Sequence, residues 1–436
     1  MKHPKNSLSK SESLYRRAQQ TIPGGVSRNT VIRHPYPNYA RAGQGALVTD
    51  VDGVTRIDFA NNMASLIHGH CCPEIVAAVT QQLQKGTAFT LASEAELELA
   101  EHLKQRVPWI DKIRFTNSGT EAVMASIKTA RAITGRPKIA KCEGTYHGTY
   151  DYAEVSQNAM PEHWGDAQRP ASLPVAHGTP QSVLDDVVVI PFNDLEMTLQ
   201  RLDQEKDRLS AVLIDLVPQR IGLCPATQEY VVGLREWTKD HGVLLIVDEV
   251  ISFRMTVSGA MAWYPIEPDL VTLGKIIGGG FPVGALGGKD EFMEVLDPAC
   301  ANFKFPFSGT FSANPVTMTA GLAAMQKFDA EAVQKINELG DYARQTISEA
   351  FAESQVACVS GQGSMFRVHL TGEPPSQFRQ SWLNPETQQR LQRLVNELYQ
   401  EGFMTFRTCT CALSTASEKQ HVDDFVACLK KSILQS

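Results

Sequence analysis

The 436 residues contain no apolar run long enough to cross a bilayer. Basic residues are not in excess either: 41 Lys and Arg stand against 48 Asp and Glu. They are scattered, so a net charge of −7 leaves no basic surface for a nucleic acid. Nine cysteines, an odd count at irregular spacing, argue against a disulfide framework. Cys71-Cys72 and Cys409-Thr-Cys411 lack the Cys or His partners of a zinc site, so free thiols and no metal are expected. The polar opening, Met1 to Lys10, has no apolar signal core, and the cytoplasm is the expected compartment. No internal repeat and no low-complexity tract is present.

What remains is an ordinary globular composition, 43% hydrophobic and 20% charged, with length enough for two or three domains. Residues 11–21 carry a helical pattern that stops at Pro23-Gly24-Gly25. Ala46-Leu-Val-Thr-Asp-Val-Asp-Gly53 reads as a hairpin with an Asp-Gly turn. Residues 1–60 are therefore expected to form an arm and hairpin against the main body. From Ile110 onward, apolar runs (113–115, 138–142, 187–190, 211–214, 243–247) alternate with amphipathic helices (121–134, 194–205, 229–240). This β–α alternation predicts an α/β fold, with a mostly parallel sheet covered by helices on both faces, over 61–314. Residues 151–186 read as an irregular loop over a pocket, and the glycines of 274–288 as tight turns close to a ligand. After Asn314-Pro315 the pattern changes to helices (315–328, 330–353), strands (364–370, 403–411) and a last helix from His421. This predicts a smaller C-terminal α+β domain over 315–436.

The chemistry-bearing residues stand at the ends of these elements. Val243 to Val247 leads into Asp248, and Leu270 to Gly274 leads into Lys275 ahead of three glycines. An amine and a carboxylate at the ends of two buried strands suit pyridoxal phosphate, which needs an amine for its aldehyde and an anion for its ring nitrogen. Ser118, Gly119 and Thr120 join a strand to a helix, where free backbone N–H groups bind an anion. Tyr146, followed by His147 and Gly148, offers a flat ring that can stack on a cofactor. Each fragment alone also has a plainer reading: a helix N-cap, a loop lysine, a turn-capping acid, a core tyrosine with a satisfied histidine. A nucleotide-binding oxidoreductase and a catalytically silent binding protein are the rivals from other classes. The glycine spacing fits neither a Walker loop nor a dinucleotide fingerprint.

Five ordered runs carry a resemblance: Asn117-Ser-Gly-Thr-Glu-Ala122, Tyr146-His-Gly148, Asp248-Glu-Val250, Leu273-Gly-Lys-Ile-Ile-Gly-Gly-Gly280 and Gly309-Thr310. Together they resemble class III aminotransferases, fold-type I enzymes that depend on pyridoxal phosphate, over nearly the whole chain. The resemblance implies that Lys275 is the Schiff-base lysine and Asp248 the partner of the pyridinium nitrogen. It makes Tyr146 the ring-stacking residue with His147 beside it, and Ser118, Gly119 and Thr120 the phosphate cup. It also implies a homodimer with shared active sites, in which Thr310 reaches the phosphate from the other subunit. An amino acid donor and a 2-oxo acid acceptor are the implied partners.

Two branches of the family compete. Ile22-Pro-Gly-Gly-Val-Ser27 is similar to glutamate-1-semialdehyde aminomutases, whereas Ser27-Arg28-Asn29 and Asp248 to Arg254 are more similar to β-phenylalanine aminotransferases. The second resemblance implies that Arg28 binds the carboxylate of a β-amino acid. Arg407 falls at the place of a second carboxylate-binding arginine. Transfer to a 2-oxo acid is thus the expected reaction, and an internal 1,2-amino shift the alternative. One departure stands out: Asp215-Leu-Val-Pro218, followed by Gln219-Arg220, replaces the family's Glu-Pro pair and adds a cation beside the pocket.

Overall fold

The computed structural model describes residues 8–434; the first seven residues of the expected arm lie outside them. Fourteen strands form three sheets. In chain order they are β1 (Ala40–Gln44), β2 (Leu47–Asp50), β3 (Thr55–Asp58), β4 (Lys112–Thr116), β5 (Lys138–Cys142), β6 (Val187–Ile190) and β7 (Leu209–Asp215). Then follow β8 (Leu244–Asp248), β9 (Leu270–Gly274), β10 (Gly284–Gly288), β11 (Cys358–Ser360), β12 (Met365–His369), β13 (Phe403–Met404) and β14 (Thr410–Ala412).

The central sheet has seven strands in the order β4-β10-β9-β8-β7-β5-β6. β10 runs antiparallel to both β4 and β9, and the remaining pairs are parallel. Alternation along the strands sends neighbours to opposite faces. Val212, Ile214, Leu245 and Val247 pack into one core, together with Tyr230, Leu234 and Trp237 of the helix Gln228–Asp240. Ala211, Leu213, Leu244 and Ile246 pack into the other, with Val123, Ile127 and Ala130 of the helix Gly119–Thr134. Helices therefore cover both faces, and the strands read as continuous apolar runs because neither side meets water.

Residues 151–186 hold only short helical turns, at Asp151–Glu154, Pro161–His163 and Gln181–Asp185. Arg379 pins this stretch from the far end of the chain. It donates to the Trp164, Gly165 and Asp166 carbonyls and makes a two-bond ion pair with the buried Glu143.

One expectation needs correction. The strand over 403–411 is two strands in different sheets: β13 pairs with β3, and β14 with β12. The chain reverses between them, with Phe406 N–H on the Thr410 carbonyl and Cys409 in the left-handed region at φ +55°. The glycines of 274–288 supply both tight turns and close packing: Gly279 and Gly280 lie at φ +58° and +97°. A Cβ on Gly279 would lie 2.3 Å from the Ala320 carbonyl oxygen of the helix Pro315–Lys327, and in this cluster only Gly280 lines the cleft described below. Among the described residues no helix is long and apolar enough to cross a membrane.

Candidate active site

Parallel strands that end in register bring their last side chains to one edge of the sheet. Asp215 of β7 is paired with Asp248 of β8, and Asp248 with Thr272 of β9. Lys275 follows β9 directly, in the left-handed region at φ +49°. Such a backbone is strained for a side-chain-bearing residue and persists only where the surroundings enforce it. A cleft of about 590 Å³ opens at this edge, and Asp215, Asp248 and Lys275 all line it.

Asp248 is only 6% exposed, and both its oxygens are engaged. Oδ1 accepts from the Val250 N–H at 3.0 Å and the Thr272 hydroxyl at 3.1 Å. Oδ2 lies 2.7 Å from His147 Nδ1. Asp215, its neighbour, is held well above the usual carboxylate range by burial first and by the Asp248 charge second. Burial and a like charge both disfavour the ionised form of this carboxyl. Burial also lowers the Lys275 amine, against the opposing pull of Asp248 and Asp215. A lowered lysine is more readily a free base, which a nucleophile or proton carrier requires.

The helix Gly119–Thr134 opens toward the same cleft. Ser118 caps it by accepting from Glu121 N–H at 3.1 Å, and the Glu121 carboxylate reaches back to Asn117 N–H at 2.8 Å. This is a capping box, so the plainer reading of Ser118 holds for its side chain. The N–H groups of Gly119 and Thr120 have no acceptor among the described residues and remain available to an anion. Backbone approach is tight: a Cβ on Gly148, at φ +93°, would lie 2.5 Å from Thr120 Oγ1. Tyr146 is 42% exposed and lines the cleft, with the Arg220 guanidinium 5.4 Å from its ring centroid.

The cleft thus gathers Lys275, Asp248, Ser118, Gly119, Thr120, Tyr146, His147 and Arg28. Arg28 donates to Asn62 Oδ1 at 2.7 Å. Two expected residues lie elsewhere. Thr310 is exposed and does not line the cleft of its own chain. Arg407 lines an adjacent cavity and donates to the Asn29 and Ile32 carbonyls at 2.9 and 2.6 Å. Arg254, at the end of the run that separates the two branches, is fully buried. It binds Ser364 Oγ and the Ala64 and Leu413 carbonyls, away from the cleft. Three residues of the site were not anticipated: Thr272, Thr145, whose hydroxyl lies 3.0 Å from His147 Nε2, and Asp215 as a second buried acid beside Asp248. A threonine inside the apolar run 270–274 was the available signal for the first.

The donor set fits pyridoxal phosphate. Two unsatisfied N–H groups would suit its phosphate, a buried carboxylate its ring nitrogen, an exposed aromatic ring its flat face, and a lysine its aldehyde. Among the described residues no His, Cys, Asp and Glu cluster could hold a metal ion.

Comparisons with known proteins agree. The family model for class III aminotransferases matches residues 31–433. Glutamate-1-semialdehyde 2,1-aminomutase of Methanothermobacter thermautotrophicus is 38% identical, covering 84% of each chain. Among solved structures, an omega-transaminase from Sphaerobacter thermophilus is 45% identical with a TM-score of 0.95, covering 98% of this chain and 97% of that one. A transaminase with pyridoxal phosphate bound is 40% identical, with a TM-score of 0.90 over 98% and 97%. A β-phenylalanine aminotransferase from Variovorax paradoxus is 29% identical, with a TM-score of 0.87 over 98% and 94%. These matches remove the oxidoreductase reading: the chain belongs to the class III aminotransferases and is a pyridoxal-phosphate-dependent enzyme.

Proposed function

We propose that this enzyme moves an amino group between a carboxylated amine, of the β-amino acid kind, and a 2-oxo acid, in two half-reactions at one cleft. The observation that carries this reading is Arg28, whose guanidinium shares the cleft with Lys275 and lacks any carboxylate partner among the described residues. A planar guanidinium offers a substrate carboxylate charge and two parallel hydrogen bonds. The 45% identity to a solved omega-transaminase supports the same reading.

Bound pyridoxal phosphate supplies an aldehyde for exchange with amines and, with its ring nitrogen protonated, a sink for electrons. The chain's own residues do the rest. Gly119 and Thr120 N–H groups anchor the phosphate end, and Tyr146 covers one face. Asp248 holds the ring-nitrogen proton, and His147 holds Asp248 in place. The Lys275 amine would carry a proton from the substrate carbon to the cofactor carbon. In a homodimer, Thr310 would complete the phosphate cup of the other subunit.

An internal amino shift is the second reading, and a specific observation favours it: the curated sequence relatives carry the aminomutase name at 33–40% identity. Adding one β-amino acid donor without acceptor separates the two. The expected result is loss of the visible band, recovery of the cofactor in its amine form, and return of colour only on adding a 2-oxo acid. Conversion of glutamate-1-semialdehyde to 5-aminolevulinate with no acceptor would decide for the shift. Borohydride should trap the cofactor on the peptide that contains Lys275; trapping elsewhere would remove Lys275 from its role.

A further inference from the structure

A second cavity, of about 680 Å³, lies beside the cofactor cleft, between residues 29–34, the helix Pro385–Gln400 and the reversal around Arg407. Arg33, Arg367 and Arg407 line it, and no Asp or Glu does. Among the described residues none of the three has a carboxylate within ion-pair distance. Arg367 is 5% exposed; its one acceptor is the Gln219 carbonyl at 3.3 Å, and its Nε has none. Burial draws its pKa down to about 10. Arg33 lies over the Tyr399 ring, 3.6 Å from the centroid, with no hydrogen bond from its guanidinium. A buried cation short of acceptors, as Arg367 is, is costly, and Arg33 beside it adds further free donors. Ile32, Met63, Trp382, Leu383, Leu391 and Val395 give the wall an apolar patch, and uncharged polar side chains such as Thr30, Gln388, Gln392 and Asn396 complete it.

A strained turn divides this cavity from the cleft. Asn61, Asn62, Met63 and Ala64 are four consecutive residues in the left-handed region, with φ between +43° and +65°. Asn62 faces the cleft and Met63 the cavity; likewise Arg28 faces the cleft and Asn29 the cavity. Left-handed backbone costs about 1–2 kcal/mol per residue. Hydrogen bonds from Ala60 and Asn61 N–H to Asp58 Oδ1, and from Asn61 Nδ2 to the Ala412 carbonyl, hold it in place.

We propose that the arginine cavity is a second, non-catalytic binding site for a small organic carboxylate with an apolar body, its charge held by Arg33 and Arg367 and its body packed against Trp382 and Leu391. No residue of the cofactor set lines it, so occupant and cofactor do not compete for the same groups. The occupant reaches the cleft through Arg407. A carboxylate that engages this guanidinium draws it from the Asn29 and Ile32 carbonyls, which anchor the turn carrying Arg28. Only this second effect rests on the Arg28 reading; the binding itself does not.

The test uses borohydride-reduced holoenzyme, which cannot turn over, titrated calorimetrically with 3-phenylpropionate, a carboxylate with neither amine nor oxo group. Two sites are expected. Arg33→Met and Arg367→Met should each weaken one of them by about tenfold to a hundredfold, the weight of a hydrogen-bonded charge, and Arg28→Met the other. Acetate and inorganic phosphate, which lack the apolar body, should bind the cavity less tightly. A single site that Arg28→Met abolishes and Arg33→Met leaves unchanged would overturn the proposal. Phosphate binding as tight as phenylpropionate would overturn its organic-acid assignment. A single site that Arg33→Met abolishes and Arg28→Met spares would support the cavity while refuting the Arg28 reading. Arg33 is only partly buried, so its variant answers the question even if Arg367→Met fails to fold.

Discussion

His147 Nδ1 and Asp248 Oδ2 lie 2.7 Å apart in a buried site, and the imidazole is held from its other side as well. The Thr145 hydroxyl gives its proton to the Cys142 carbonyl at 2.7 Å, so it accepts from His147 Nε2 at 3.0 Å. Asp248 meanwhile accepts from Val250 and Thr272 through its other oxygen. The contacts run from the Cys142 carbonyl through Thr145 and the imidazole to the carboxylate, and they fix the carboxylate toward the cleft. Burial lowers the His147 pKa, and the bond to Asp248 opposes this.

Asp248→Asn should therefore leave the cofactor bound and transamination slower by about two or more orders of magnitude, because an amide cannot hold the ring-nitrogen proton. An acid that merely capped a turn would cost about 1 kcal/mol of stability with little change in kcat per folded enzyme. Single-turnover rates together with melting temperature separate the outcomes. Near-parental kcat would remove Asp248 from the chemistry.

Arg28→Ala should lower kcat/KM for carboxylated donors about tenfold to a hundredfold while sparing amines that lack a carboxylate, since a charge-assisted pair is worth about 1.5–3 kcal/mol. Equal losses for both donor classes would mean that Arg28 shapes the cleft through Asn62 rather than binding substrate.

Arg254 gives the clearest stability prediction. It is fully buried, burial draws its pKa to about 9, and it ties together residues 64, 364 and 413, which are remote in sequence. Arg254→Ala opens a cavity and leaves these acceptors without a donor, each worth about 1–3 kcal/mol. The expected loss is at least about 3 kcal/mol in urea unfolding, with the cofactor spectrum of the surviving folded enzyme unchanged. A loss below about 1 kcal/mol would show that water replaces the guanidinium.

The central sheet was legible because its strands are short apolar runs separated by amphipathic helices, a pattern that local chemistry dictates. Asp248 and Lys275 were legible for a related reason: a charged residue at the end of such a run has to face a sheet edge. The reversal at 406–410 was not, because Phe403–Met404 and Thr410–Ala412 are both apolar and only a remote partner, β3 or β12, distinguishes them. That Gly279 also makes room for the Ala320 backbone was not legible for the same reason, since Ala320 is distant in sequence. Arg407 was placed near the site by position alone, and its two carbonyl partners depend on how the 29–32 turn folds.

The acid limb of stability should carry the mark of His369. This ring is 6% exposed, with Nε2 2.7 Å from Ser360 Oγ. Burial first, and the Arg367 charge second, lower its pKa from 6.5 to about 3. The sign follows from proton counting. Between these two values the unfolded chain binds a proton that the native state refuses, so stability is present above pH 6.5 and is lost as pH falls toward 3. The limiting slope from one such group is about 1.4 kcal/mol per pH unit. Urea midpoints at pH 6.5, 5.5 and 4.5 for the parent and for His369→Gln test this. The variant should start less stable, because Ser360 keeps the Gly222 carbonyl but loses the imidazole, and its decline with acid should be shallower by up to that slope. Parallel declines would show that His369 titrates equally in both states and that other groups set the acid limb.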